Sequence, residues 1–292
     1  MRLARIASPD GPRLAAYAEG QWTDLTAATQ ILRSDPVTAL TCKRSLVQTA
    51  VRSAGQAIDE PTVLCPLTQG GRIFCIGLNY RDHAEETGAT VADEPIVFSK
   101  FSSTLTDPGA DIVLPNVSDR VDYEAELAVV IGTPGKHIAE SSALEHVLGY
   151  TIANDVSARD WQKGKPGKQW LLGKTFDTFC PLGPLLVTAD EVPDPQDLSV
   201  TTTISGEVMQ RGNTSDMIFP VAKVISYISQ VVALRPGDLI LTGTPAGVGD
   251  ARNPPRYLQE GDTVEITIGN LGTLTNRVVS EPPLPPLRRS TD

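Results

Sequence analysis

The segment Asp122-Tyr123-Glu124-Ala125-Glu126-Leu127 runs straight into the apolar Ala128-Val129-Val130-Ile131. On a strand, residues two apart point to one face, about 7 Å along the chain. Glu124 and Glu126 would then share a face of an otherwise apolar element. Two carboxylates in such a place are costly unless they are protonated, paired with cations or bound to metal. An exposed strand end or a helical turn with solvated glutamates fits the same letters. A third carboxylate, Asp155, closes the apolar lead Tyr150–Ala153 in GYTIANDVSARDWQ. At a strand end it is placed to meet the other two, although capping the next turn is an equally ordinary job for an aspartate. Three carboxylates without a His or Cys cluster make a hard oxygen site, suited to Mg²⁺, Mn²⁺ or Ca²⁺ rather than zinc.

The chain has 3 histidines. His137 follows a Pro-Gly turn and His146 lies in a helical pattern, so both read as structural. His83 sits in Asp82-His83-Ala84-Glu85-Glu86, which reads as a helix start capped by Asp82. There His83 and Glu86 fall on one helical face, and a carboxylate beside an imidazole raises its basicity and orients it for general-base work. A surface or cap histidine fits as well. Lys174 borders Leu171, Leu172 and Phe176, whereas the lysines of the preceding loop, residues 163–169, read as solvated. Arg159 has Asp160 beside it as a possible partner. The run Gly243-Thr244-Pro245-Ala246-Gly247-Val248-Gly249 lacks the Gly-Lys-Ser/Thr ending of a phosphate loop, and Pro245 precludes a dinucleotide turn. Its backbone N–H groups can still approach an oxygen anion; a plain tight turn is the alternative. No GxSxG elbow or catalytic-cysteine signature is present.

Elements must carry these residues. With 24 glycines and 23 prolines the chain is cut into short segments, favouring strands over long helices. RLARIAS and RLAAYAEGQWTDL predict two strands joined at Pro9–Pro12, with a helix over 44–57 after them. The segment 65–72 reads as a boundary. Beyond it IFCIG, ELAVVIG, GPLLVT, GDLILTG and DTVEITI predict strands, several buried on both faces, and helices are expected at 82–87, 140–147 and 217–233. The expected architecture is α+β and mainly β: a small N-terminal α+β domain (1–68), a mainly β domain (69–280) and a Pro-rich tail (281–292). A net charge of −10 gives no general attraction for nucleic acid or anionic membrane. No apolar run approaches a membrane span. The 4 cysteines show no CxxC pair and read as reduced thiols of a cytoplasmic protein.

Taken together, IGLNYRDHAEETG, EPIVFSK, DYEAELAVVIG, GYTIANDVSARDWQ, GKTFDTFCPLGP, MQRGNTSDMIF, LRPGDLILTGTPAGVG and LQEGDTVEITIGNLG resemble, in order, the fumarylacetoacetate hydrolase family. Within it the chain looks most like the members named diketo-deoxy-sugar-acid hydrolases and the ureidoglycolate-lyase-like proteins. The resemblance implies a mixed β-roll catalytic domain in a homodimer. It further implies a divalent cation, commonly Mg²⁺, on Glu124, Glu126 and Asp155. His83 and Glu86 match the family's water-activating pair on a lid, here about Arg81–Asp93, and Lys174 a lysine near the reacting carbonyl. Arg159, Gln162 and Thr244 match substrate-contacting positions. The implied reaction is hydrolysis of a carbon–carbon bond in a 1,3-diketo or acylpyruvate-type 2-oxo acid. The alternative is a metal-dependent decarboxylase or isomerase (tautomerase) of 2-oxo acids on the same site. One departure is Ile204-Ser205-Gly206-Glu207, where the family often has Val-Asn-Gly-Glu.

Overall fold

The structure is a computed structural model and describes residues 1–26, 36–52, 56–68 and 71–282; most of the Pro-rich tail lies outside them. The elements of the first 68 residues are β1 (Arg2–Ile6), β2 (Arg13–Ala18), β3 (Gln21–Asp24), α1 (Pro36–Arg52), β4 (Gln56–Ile58) and β5 (Val63–Leu64). Then come β6 (Ile73–Gly77), α2 (Arg81–Thr87), β7 (Ile96–Lys100), β8 (Leu105–Thr106), β9 (Ile112–Leu114), β10 (Val121–Asp122), β11 (Ala125–Ile131), β12 (Val147–Asn154) and β13 (Ser157–Ala158). They are followed by α3 (Arg159–Gln162), α4 (Trp170–Lys174), β14 (Cys180–Thr188), β15 (Ser199–Ile204), β16 (Glu207–Asn213), α5 (Val221–Val231), β17 (Leu239–Leu241), β18 (Thr263–Ile268) and β19 (Thr273–Ser280). The fold is α+β and mainly β, as the segment pattern predicts.

A 12-stranded mixed sheet runs in the order β4-β3-β2-β1-β14-β12-β11-β17-β6-β7, with β5 on β1 and β8 on β14. A 5-stranded sheet, β16-β15-β18-β19-β9, covers one of its faces. Leu127, Val129, Ile131, Tyr150 and Ile152 of the large sheet share that core with Val200, Ile266 and Val278 of the smaller one. On the opposite face Ala128, Val130, Leu182 and Leu186 pack with Val37, Leu40 and Val47 of α1. From Leu127 onward β11 is therefore apolar on both faces, which is why Leu127–Ile131 read as an unbroken hydrophobic run.

Several boundaries differ from the sequence expectation, each for a local reason. The segment 13–25 is two strands, because Glu19 and Gly20 both take positive φ and fold it into a hairpin that pairs Ala18 with Gln21. The first helical stretch spans 36–52 and is kinked at Lys43, whose φ of −142° is not helical. A helix thus begins at 44 as expected, but it ends at 52 rather than 57 and is preceded by helical residues 36–42. Pro36 opens the stretch, a position proline favours, and residues 56–58 are taken by pairing with β3, Trp22 opposite Ile58. Residues 140–146 form a 3₁₀ helix. The last helix starts at Val221 rather than 217, since Pro220 precedes it and the amides of Ile218 and Phe219 bond to Asn79. Ser205 and Gly206 make a left-handed hairpin turn between β15 and β16, so serine serves where the family often has asparagine. The described strands of residues 1–68 join the large sheet, β1 pairing with β14 and Leu3 lying opposite Leu186.

Candidate active site

β11 and β12 form an antiparallel pair that sets Glu126 opposite Ala153. Glu124 lies just before β11 and Asp155 just after β12, and the Asp155 amide donates to the Glu124 carbonyl at 2.9 Å. Glu124, Glu126 and Asp155 thus meet at one end of one ladder. One carboxylate oxygen from each lies within 4.8 Å of the others, and all three side chains are buried. The period-two reading of Glu124 and Glu126 is what the backbone delivers, and Asp155 caps no helix.

The charges around them do not balance. The Lys174 ammonium bridges Glu124 and Asp155, at 2.6 Å to each. Arg159 pairs with Glu124 at 2.7 Å and with Asp122 at 2.8 Å, not with its neighbour Asp160. Lys100 pairs with Asp155 at 2.6 Å. Glu126 accepts from the Gly243 amide at 2.7 Å and has no ion-pair partner among the described residues. Burial, then repulsion from Asp155 and Glu124, pushes its carboxyl well above the usual range. Burial also works against the Glu124 carboxylate, but Lys174 and Arg159 outweigh it and hold that group below the usual range. For Lys174 the same contest raises the ammonium, since Asp155 and Glu124 overcome desolvation. A buried carboxylate lacking a counter-charge beside two others is a donor set that a divalent cation completes. These residues could hold one.

α2 brings the second group of residues. His83 Nδ1 lies 2.7 Å from Glu86 Oε1, and Glu86 Oε2 accepts from the Gly247 amide at 2.9 Å. Asp82 does not cap this helix. Tyr80 holds the cap position, pinned by its bridge to Met217, and Asp82 lies in the first turn with its carboxylate accepting from the His83 amide at 2.7 Å. The first part of the expected lid, Arg81–Thr87, is a helix with His83 and Ala84 buried, and residues 88–93 continue as non-helical chain.

The glycine-rich run after β17 binds the protein's own carboxylates. Besides Gly243 to Glu126 and Gly247 to Glu86, the amides of Gly249 and Asp250 donate to Asp122 at 2.7 and 3.0 Å. Gly243 and Gly247 take φ of 96° and 103°. A Cβ on Gly243 would lie 2.8 Å from the Asn79 Cβ, and one on Gly247 would strike the Met209 carbonyl. Both the conformation and the space demand glycine there. Thr244 in the same run accepts from Gln210 at 2.7 Å.

A cavity of about 650 Å³ lies over the cluster. Its walls include His83, Glu86, Glu124, Glu126, Arg159, Gln162, Lys174 and Thr244; of the sequence-predicted residues, Asp155 alone sits behind the wall. Sequence reasoning missed Lys100, Asp122 and Gln210. Asp122 carried a signal, being two residues before Glu124 as Glu124 is two before Glu126. Lys100 ends an apolar strand in step with Phe98, which lines the cavity. Three cysteines are buried; burial pushes the Cys65 and Cys180 thiols up to about 12 and holds the Cys75 thiol well above its ordinary value.

Residues 72–279 match the family profile described as fumarylacetoacetate (FAA) hydrolase C-terminal. The chain is 54% identical over 221 residues to a Bos taurus protein named oxaloacetate tautomerase FAHD2A, mitochondrial, covering 76% of this chain and 70% of that one. A solved structure of fumarylacetoacetate hydrolase from psychrophilic Exiguobacterium antarcticum superposes with a TM-score of 0.84 at 35% identity, over 96% of this chain and 100% of that one. Maleylpyruvate hydrolase from Sphingobium sp. SYK-6, solved with manganese(II) and pyruvate, has a TM-score of 0.80 at 29% identity, over 97% and 100%. The bovine relative's mitochondrial name overturns the expectation of a cytoplasmic location. With the profile, the relatives and the cavity agreeing, this chain belongs to the fumarylacetoacetate hydrolase family.

Proposed function

We propose that the protein is a divalent-cation-dependent tautomerase that interconverts the enol and keto forms of a 2-oxo acid of the oxaloacetate type. The observation that carries this reading is one imidazole–carboxylate pair, His83–Glu86, on the wall of a cavity that also contains the acidic cluster. Moving a proton between a carbon and the neighbouring carbonyl oxygen needs one proton carrier and stabilisation of the developing negative oxygen. The similarity to an oxaloacetate tautomerase favours this reaction over the carbon–carbon hydrolysis that the motif resemblance implies.

Glu124, Glu126 and Asp155 would hold the cation, with Mg²⁺ or Mn²⁺ as the natural candidates for three carboxylates. When bound, it supplies Lewis-acid polarisation of the substrate oxygens. Glu86, fixed by the Gly247 amide, orients the imidazole through Nδ1 and leaves Nε2 to exchange protons. Nε2 takes the proton from the carbon beside the carbonyl and returns it to the oxygen, giving the enol; the reverse path gives the ketone. Gln162 offers N–H donors to the substrate's oxygens, Lys174 and Arg159, held by the acidic cluster, supply positive field beside them, and Trp170 and Phe98 reduce access of water.

The test follows the ultraviolet absorbance of enol-oxaloacetate with Mg²⁺ or Mn²⁺ present. His83→Ala should slow ketonisation by about 10²–10⁴-fold while calorimetry shows unchanged cation affinity. A wild-type rate in that variant removes the proposed base. Hydrolysis is the second reading, supported by the solved hydrolases of the same fold. Rapid cleavage of an acylpyruvate, with no acceleration of oxaloacetate tautomerisation, would put it first.

A further inference from the structure

The loop 163–169, Lys-Gly-Lys-Pro-Gly-Lys-Gln, borders the cavity and has no part in the chemistry above. It sets lysines at 163, 165 and 168 in a chain of net charge −10. The cavity's cationic walls are Arg159, Lys163, Lys168 and Lys174. Arg159 and Lys174 are engaged by the acidic cluster, and Lys163 pairs with Asp250 at 2.6 Å. Lys168 has no ion-pair partner among the described residues. Its backbone takes a φ of 55°, in the left-handed region that non-glycine residues seldom enter. Two bonds hold it there: the Lys168 amide donates to Lys165 at 3.1 Å, and its carbonyl accepts from Trp170 at 2.9 Å. Trp170 is itself a cavity wall. An unpaired cation is thus kept beside the cavity by a costly turn.

We propose that Lys168 is a specificity-determining residue that binds the far carboxylate of a 2-oxo diacid whose 2-oxo acid end lies at Glu124 and Glu126. This rests on the 2-oxo acid reading above. A diacid presents negative charge at both ends. The cations near the acidic cluster are already neutralised by carboxylates, so a second carboxylate finds its uncommitted partner at Lys168. A monoacid of equal length gains nothing there. Lys168 acts through binding and takes no part in the proton transfer.

The experiment compares length-matched pairs, oxaloacetate with 2-oxobutyrate and 2-oxoglutarate with 2-oxopentanoate, on Mn²⁺-loaded full-length protein. Binding is read by calorimetry, and turnover is read where it occurs. Wild type should favour the diacid of a pair by about tenfold or more, the worth of one charge-assisted hydrogen bond. Lys168→Gln should erase that preference, raising KM for oxaloacetate with little change in kcat, and leave monoacid affinity intact. Lys168→Arg should restore most of it. The assignment is overturned if wild type shows no diacid preference, if Lys168→Gln keeps it, or if monoacid affinity falls equally. It is also overturned if Lys165→Gln erases the preference as fully, since that would mean a diffuse field of the loop. A wild type that turns over no 2-oxo acid rejects the tautomerase reading, while the binding comparison still decides Lys168.

Discussion

At the scale of single residues, Glu126 gives the sharpest expectation. Burial and the neighbouring Asp155 and Glu124 hold its carboxyl well above the usual range, which favours its protonated form in the cation-free protein. Such a group favours the folded state fully at low pH and progressively less as pH rises toward its folded-state value. Chelated protein should therefore lose melting temperature as pH rises above the ordinary carboxylate range, and Glu126→Gln should flatten that loss. Cation binding must expel the proton. Affinity should tighten with rising pH, and calorimetry in two buffers of different ionisation enthalpy should register proton release; identical heats in both would count against it. Lys100→Met leaves Asp155 without one of its buried partners, which costs about 3–5 kcal/mol in denaturant unfolding. Bound cation should shrink that loss. The carboxylates were legible because a strand repeats every two residues. Lys100 was not, because a lysine at a strand end reads as solvated until tertiary packing buries it.

Among the elements, the loop following β17 does the most positioning. In Gly247→Ala the new methyl group meets the Met209 carbonyl in a backbone conformation alanine resists. The loop must shift and release Glu86. We expect a lower melting temperature and a kcat reduced by about tenfold or more, the worth of one lost orienting hydrogen bond; unchanged kinetics would show that Glu86 needs no such support. The glycine pattern was visible in the sequence as a loop close to oxygen anions, but not that the anions are the chain's own Glu126, Glu86 and Asp122. Those partners lie more than a hundred residues away, and local letters cannot rank such pairings. The same limit misplaced the end of the first helix. Residues 56 and 57 fit a helix locally, and long-range pairing with β3 took them instead.

Across the whole molecule, the change of pattern near residue 70 was legible and the sheet that crosses it was not. The first unit lends its strands to the edge of the large sheet, and Leu182 and Leu186 of β14 share a core with Leu3, Leu14 and Leu40. Deleting residues 1–68 should therefore yield an aggregating chain rather than a smaller active one, because it bares both an apolar face and a strand edge. A soluble, cation-binding truncation in size-exclusion chromatography would argue that the boundary separates independent domains.

The pairing of β1 with β14 also has a meaning in time. Leu3 leaves the ribosome early, and its partner Leu186 follows only after the intervening chain has been made. At ordinary synthesis rates of about 5–20 residues per second, that wait is roughly 10–40 s. Throughout it the β1–β2 hairpin carries an unmet edge, and β6 waits nearly as long for β17, Ile73 pairing with Leu239. Synthesis in a reconstituted translation system without chaperones should thus give more insoluble product than refolding of the finished chain at the same dilution, because only the finished chain holds every strand's partner from the start.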